Sequence, residues 1–328
     1  MTGSDGIARA RSHRTRKRAD EAAVPCAARG ELLMLDVKDE TEREPSMSPV
    51  SRSFDVRTLT LDEIRDLIGW ASQEGWNPGL ADANAFRAAD PDGFVGLFEG
   101  RALAAAISAV RYSPAFGFIG LFIVRPDRRG HGLGRAVWQA GISRLAGATI
   151  GLDGVQEQQA NYRRQGFVPA YRTIRYAGEA PVGPLDPQVR PLPAEQAASV
   201  AEIDRRCFPA ERGAFLADWL KAPHRTFVNA DGARVNGYAT LRQCRDGYKI
   251  GPLFAGDVDV ARGLVHAAAA TVPGQRIAID VPEHNQPAVE LVRALDWVPI
   301  FETLRMYRGS APRLSDAEVF GITTLELG

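Results

Sequence analysis

The sequence predicts an α/β protein, built on a mixed sheet of the α+β kind, in which one fold occurs twice in tandem. Three observations carry this reading. From about Val56 onward, strand-like apolar runs alternate with segments of helical period. The run Val168-Pro169-Ala170-Tyr171-Arg172-Thr173-Ile174-Arg175 is echoed by Val298-Pro299-Ile300-Phe301-Glu302-Thr303-Leu304-Arg305, and upstream Ile150-Gly151-Leu152-Asp153 is echoed by Ile277-Ala278-Ile279-Asp280. Between the two echoes, residues 179–193 carry prolines at 181, 184, 187, 191 and 193, the composition of an inter-domain linker.

Each element of the first unit follows from its residues. Thr60 caps a helix whose apolar positions Ile64, Leu67, Ile68 and Ala71 recur at helical spacing. Phe94–Glu99 and Leu103–Val110 are strand-like and are joined by the short turn Glu99-Gly100-Arg101, a hairpin signal. Gly117–Arg125 reads as a longer, fully buried strand. Pro126 to Gly134 is a glycine-punctuated loop, and the helix after it, Ala136 to Ala146, turns Val137, Trp138, Ile142 and Leu145 inward. A strand at Thr149–Asp153, a helix at Gln156–Gln165 and a final strand pair around Phe167–Tyr176 complete the unit.

The expected organisation is a disordered tail at 1–50, a catalytic domain at 52–178, the linker at 179–193, a second domain at 194–309 and a C-terminal tail at 310–328. In the N-terminal tail an arginine cluster, Arg9–Arg18, is followed by an acidic stretch, and few aromatics are present to offset ordering entropy. Over all 328 residues, 40 Lys plus Arg balance 40 Asp plus Glu, so no global field points to nucleic acid or an anionic membrane. No apolar run is long enough for a membrane helix. Three scattered cysteines, Cys26, Cys207 and Cys244, are too few for a disulfide framework or a zinc site, and with no apolar leader the expected compartment is the cytoplasm. A monomer or homodimer is expected.

The chemistry concentrates in Ile123-Val124-Arg125-Pro126-Asp127-Arg128-Arg129-Gly130-His131-Gly132-Leu133-Gly134-Arg135, a strand, a turn and a helix start. Glycines at 130, 132 and 134 let backbone N–H groups converge on one concavity, and the helix adds the positive end of its dipole, an arrangement suited to a diphosphate. Arg128, Arg129 and Arg135 supply positive charge around it. A P-loop is excluded, because no Lys-Ser/Thr follows the last glycine.

Arg129-Gly130-His131-Gly132-Leu133-Gly134 fits the Q/R-x-x-G-x-G/A acyl-CoA signature of the GCN5-related N-acetyltransferase (GNAT) superfamily, and Tyr162-Arg163-Arg164-Gln165-Gly166-Phe167 is similar to its Y-x-x-x-G-F ending. Over roughly residues 52–309 the chain resembles a bacterial branch with two tandem GNAT-like domains, some of whose members act in secondary metabolism, including acylation of a dithiolopyrrolone amine. The resemblance implies acetyl-CoA as co-substrate, a small-molecule amine as acceptor, and neither metal, nucleic acid nor membrane as partner. It places Ile123, Val124, Arg129, Gly130, His131, Gly132, Leu133, Gly134 and Arg135 at the cofactor. Pantetheine would mimic a missing strand in a gap between Phe118–Arg125 and Thr149–Asp153, with a backbone N–H near Ile123 polarising the acyl carbonyl.

Tyr162 matches the family's general-acid tyrosine, the alternative being a plain core aromatic. Many relatives carry a glutamate on the strand before the loop, but Gly117–Val124 has no carboxylate. A water chain or a residue from elsewhere must therefore remove the proton, with Glu74, Asp82 and Asp153 as the candidate residues, while Trp76, Asn77 and Asp82 line the expected acceptor pocket. The turn Trp76-Asn77-Pro78-Gly79 also reads as a capped turn with Trp76 in the core, and Asp153, like Asp280, also reads as a helix N-cap. In the second unit the corresponding loop, Gly251-Pro252-Leu253-Phe254-Ala255-Gly256-Asp257-Val258-Asp259, lacks the glycine signature and carries two acids, so this degenerate copy is expected to bind no CoA. Asp280, Glu283, His284 and Asn285 cluster at a strand end and are read as a surface or cap arrangement, not a metal site. The expected activity is an acyl-CoA-dependent N-acetyltransferase. Two other readings are a non-catalytic acyl-CoA sensor and a nucleic-acid-associated protein acting through Arg9–Arg18.

Overall fold

The computed structural model describes residues 54–328, so the expected disordered tail and its arginine cluster lie outside the described residues. The first copy runs β1 (Phe54–Thr58), α1 (Leu61–Gln73), α2 (Ala83–Ala89), β2 (Phe94–Glu99), β3 (Ala102–Arg111), β4 (Phe116–Val124), α3 (Leu133–Arg144), β5 (Thr149–Gly154), α4 (Gln159–Arg164) and β6 (Val168–Glu179). The second runs β7 (Val189–Pro191), α5 (Ala197–Cys207), α6 (Gly213–Trp219), β8 (Arg225–Asp231), β9 (Arg234–Gln243), β10 (Tyr248–Ala255), α7 (Val258–Ala270), β11 (Arg276–Pro282), α8 (Gln286–Ala294), β12 (Val298–Arg308) and β13 (Val319–Gly321). The Thr60 cap forms as expected: its hydroxyl accepts from the Glu63 N–H at 3.3 Å and the Glu63 carboxylate accepts from the Thr60 N–H at 2.8 Å.

All the strands join one sheet in the order β1-β2-β3-β4-β5-β12-β6-β11-β10-β9-β8-β7, with β13 added beside β10. Its centre is a reciprocal exchange. β12 of the second copy pairs with β5 of the first, and β6 of the first pairs with β11 of the second. Thr173 and Thr303, equivalent positions of the echo, face each other across the β6–β12 pair, which marks the local two-fold between the copies. The strand pair expected around Phe167–Tyr176 is thus a single strand, and the place beside β5 is taken by β12. Apolar alternation shows that a segment is a strand but does not name its partner.

Helices cover both faces. In the first copy, α3 and α4 pack Leu133, Val137, Trp138 and Tyr162 against Ile107, Ile119 and Phe122, while α1 and α2 cover Ala106, Val110, Leu121 and Ile123 on the other face. The second face is shared between copies: Trp219 of α6 stacks on Phe86 of α2 at 6.3 Å, and Phe116, Phe118, Phe208 and Tyr307 form one cluster. Burial of each such ring stabilises by about 1.5–3 kcal/mol. The expected C-terminal tail is packed. Val319 and Gly321 pair with β10, the Tyr112 hydroxyl donates to the Leu327 carbonyl at 3.0 Å, and a side chain at Gly120 would collide with the Glu326 carbonyl. Among the described residues no helix is long and apolar enough to cross a membrane.

Candidate active site

Gly130 and Gly132 lie in the left-handed region, at φ +79° and +78°, with nothing within 4 Å of where a Cβ would stand. Backbone conformation, not crowding, demands glycine here. Gly132 is the N-cap of α3 and supplies no side-chain cap, and among the described residues no other side chain accepts from the first-turn N–H groups of Leu133, Gly134 and Arg135. The arginines differ from the sequence expectation of three open charges. Arg128 pairs with Glu99 at 2.5 Å, Arg129 pairs closely with Glu74 and donates from Nε to the Val124 carbonyl at 3.2 Å, and Arg135 is the exposed cation beside the turn without an ion pair among the described residues. The His131 ring lies 2.9 Å from the Arg129 carbonyl through Nδ1.

Behind this turn the sheet forks. β4 and β5 pair in parallel only from Phe116↔Thr149 to Ile119↔Leu152. β4 then bulges against β3, with Leu121 at φ +44°, an unusual conformation for a leucine, and runs on to Val124 unpaired on the β5 side. The second copy has the same fork: β10 and β11 pair only through Ile250↔Ile279. There the gap is filled by the chain itself, for β13 pairs Gly321 with Leu253 and the following Ile322 N–H donates to the Asp280 carbonyl. The amino end of α7 is also closed, because the Asp257 carboxylate accepts from the N–H groups of Asp259 and Val260 at 3.0 and 2.9 Å. One fork and one helix end are open; their twins are stoppered.

Tyr162 sits on α4 beside the open fork. Its ring stacks on Trp138 with centroids 5.5 Å apart, meets Phe167 edge-on, and lies so close to Gly154 at the end of β5 that a Cβ there would approach it to 3.0 Å. Burial pushes the phenol above its ordinary pKa, so the hydroxyl keeps its proton well beyond neutral pH.

A GNAT family model matches residues 61–167, and a GNAT acetyltransferase domain model matches residues 200–321. A holothin acyltransferase of Pseudoalteromonas sp. (strain SANK 73390) is 32% identical over 280 residues, covering 83% of this chain and 94% of that protein. The chain belongs to the GNAT family, with two tandem domains. In fold it is similar to a Pyrococcus horikoshii protein assigned as an acetyltransferase, at TM-score 0.71 and 23% identity over 88% of this chain and 100% of that one. It is also similar to a tandem GNAT protein from the clavulanic acid biosynthesis pathway, at TM-score 0.57 and 16% identity over 79% and 100%. At these identities the two structures speak to the fold alone.

Within this GNAT chain the carboxylates proposed to accept a proton are engaged elsewhere. Asp82 is fully buried between Arg242 and the His224 ring, and accepts from the Gly79 N–H at 2.9 Å. Asp153 accepts from Nε and Nη2 of Arg305, both at 2.8 Å, and Glu74 is paired with Arg129. Nor do Asp153 and Asp280 cap helices. Asp280 accepts from Nε and Nη2 of Arg175 at 2.7 and 2.9 Å, and the cap of α8 is Asn285. The expected acceptor-side turn is docked on the second copy: Asn77 exchanges hydrogen bonds with the Asp246 backbone at 2.9 and 3.1 Å, and the Trp76 carbonyl accepts from Arg175 at 2.7 Å. Trp76 itself is half-buried against the α1 core.

The reciprocal Asp153–Arg305 and Asp280–Arg175 pairs escaped the sequence reading, although its signal was present. Each echo ends in an arginine and each upstream strand in an aspartate. Arg305 lines a narrow cleft together with Tyr171, Phe208, His284 and Asp316, on the side of the sheet where Phe118 lies, one residue before the fork begins.

Proposed function

We propose that the first copy transfers an acyl group, acetyl in the simplest case, from acyl-CoA to a primary amine of a small molecule by direct attack in a ternary complex. The observation that carries this reading is the open β4–β5 fork leading to an uncapped helix end, set against the filled and capped equivalents in the second copy. The first-turn N–H groups of α3, with Arg135 beside them, fit a diphosphate, and nothing around Gly130 or Gly132 would obstruct it. The unpaired edge of β4 up to Val124 fits an extended pantetheine arm, as β13 fits the corresponding edge of β10.

Acyl-CoA supplies the activated thioester. A β4 backbone N–H near Ile123 polarises its carbonyl, the neutral amine forms the new C–N bond as the C–S bond breaks, and Tyr162 donates its proton to the departing sulfur. The proton lost by the amine leaves through water, since Asp82 and Asp153 are both tied to guanidinium groups, and a proton from water returns Tyr162 to its neutral form.

The testing experiment is an acyl-CoA-dependent thiol-release screen over polyamines, amino acids, aminosugars and aromatic amines, with holothin as the first compound because a relative is named for it. Products are read by mass. Steady thiol release with formation of an amide is the expected result; binding of acyl-CoA with no transfer to any amine would leave the sensor reading in its place.

A further inference from the structure

The C-terminal segment that fills the second fork continues to the first. Gly120 and Gly251 are twins: each is the first residue of its strand beyond the last pair with the parallel neighbour, Ile119↔Leu152 in one copy and Ile250↔Ile279 in the other. Both are crossed by this segment. A Cβ at Gly251 would stand 2.3 Å from the Thr323 carbonyl oxygen, and a Cβ at Gly120 would stand 2.0 Å from that of Glu326. Residues 322–328 therefore form one strap from the filled fork to the open one. Ser108 and Tyr112 fasten its far end, donating to the Glu326 and Leu327 carbonyls at 3.3 and 3.0 Å. Leu327 shares a core with Leu121 and Ile123 of the unpaired stretch of β4, against which Trp76 also packs.

The two crossings differ in their side chains. Over the filled fork the Thr323 hydroxyl accepts from Arg212 at 2.7 Å. Over the open fork Glu326 is 3% exposed, and neither of its carboxylate oxygens has a hydrogen-bond partner among the described residues. Asp82, Asp153, Asp204 and Asp280, by contrast, are each held by a guanidinium group. Two cations face Glu326 at longer range. Arg175 of β6 and Lys249 of β10 donate to the Trp76 carbonyl at 2.7 and 3.4 Å and are paired with Asp280 of β11, and the Glu326 charge favours their ionised forms while bonding to neither. A buried carboxylate left unpaired is costly, and orphaned polar groups of this kind are the usual seat of ordered water.

We infer that Glu326 accepts, through a water held at its free oxygens, the proton that the amine loses. The inference rests on the acyl-transfer reading above and deepens it. As the C–N bond forms and the C–S bond breaks, the amine nitrogen gives a proton to this water, the water gives one to the carboxylate, and the departing sulfur takes the Tyr162 proton. Solvent then removes the proton from Glu326 and returns one to Tyr162, so amine and thioester become amide and thiol with no net change in the protein. The acid missing from Gly117–Val124 is supplied by the end of the chain, and the silent copy holds it there.

The test measures kcat at saturating substrates against pH in the full chain, with the least basic amine accepted, so that an acid limb belongs to the enzyme. Wild-type turnover is expected to fall on the acid side as the carboxylate takes up a proton. Glu326→Gln, which keeps the side-chain shape, should lower kcat about a hundredfold or more and abolish that limb while the KM for acyl-CoA holds. Glu326→Asp should restore part of the turnover and the limb with it. Thr323→Val, at the twin crossing, loses a buried hydrogen bond and should melt below the wild type yet keep the limb, which separates proton transfer from packing of the strap. A Glu326→Gln variant within about threefold of wild-type turnover, or a Glu326→Asp variant no faster than Glu326→Gln, overturns the inference while the acyl-transfer reading stands. So does a wild-type profile flat on the acid side, even if Glu326→Gln does not fold. A wild type that acylates no amine removes both.

Discussion

An aspartate at position 132 would set a negative charge at the open end of α3, as Asp257 does at the end of α7, though from a left-handed instead of an extended backbone, and the consequences can be worked out from the two helix ends. At φ +78° a side chain costs about 1–2 kcal/mol, with aspartate among the better tolerated. A negative charge beside the amino end of α3 returns about 0.3–1 kcal/mol. Nothing lies within 4 Å of the new Cβ, so packing adds little and stability should change by about 1 kcal/mol or less. Binding is another matter. The new side chain would stand in the space in front of the first-turn N–H groups, and a negative charge would face the diphosphate. If the charge displaces the diphosphate from two charge-assisted hydrogen bonds, at about 1.5–3 kcal/mol each, CoA affinity falls by about a hundredfold or more. Calorimetric titration of Gly132→Asp with CoA, beside a thermal melt, measures both quantities. A variant that melts like the wild type yet binds CoA within threefold of it would refute the placement of the diphosphate.

Other outcomes follow from the same geometry. Tyr162→Phe should leave CoA affinity unchanged and slow turnover by about a hundredfold or more, measured as single-turnover thiol release. Glu74→Gln breaks the pair with Arg129, each about 85% buried, and should lower unfolding free energy in urea by about 2 kcal/mol and weaken CoA binding, without shifting the pH profile of turnover as loss of a base would. The Arg57 guanidinium, with help from the Thr60 cap, holds Glu63 down to about 2; its contribution is therefore complete above the ordinary carboxylate pKa and disappears as pH falls toward 2. The stability difference between wild type and Glu63→Gln should close over that interval. Residues 54–178 expressed alone should fail to give a cooperative melt, because β5 and β6 lose β12 and β11, and co-expression with residues 179–328 should restore it.

The parts of this fold governed by local chemistry were legible in the residues. The Thr60 cap, the Glu99-Gly100-Arg101 hairpin and the glycine turn before α3 all depend on neighbours in sequence, and the echo announced a repeat. Partnership across the sheet was not legible, because Val168–Arg175 and Val298–Arg305 carry the same alternation whichever copy they join. The same blindness misplaced the acids. Asp82, Asp153 and Glu74 read as available carboxylates until Arg242, Arg305 and Arg129, two of them far along the chain, were brought against them. That the second copy lacks the glycine turn could be seen in its sequence; that β13 fills its fork could not, since a three-residue strand leaves no periodic trace.

The exchange of β6 and β12 also sets a schedule for synthesis. When the ribosome has released β5 and α4, the first half still has a bare strand edge, and the strand that will cover it begins at Val298. At ordinary elongation rates that wait lasts on the order of ten seconds. Throughout it the glycine turn is already synthesised, yet the chain lacks the centre of its sheet and Arg305, the partner of Asp153. The protein can therefore become competent only when its last strands emerge, and a nascent chain truncated before them leaves an open edge for chaperones or for a second chain to occupy.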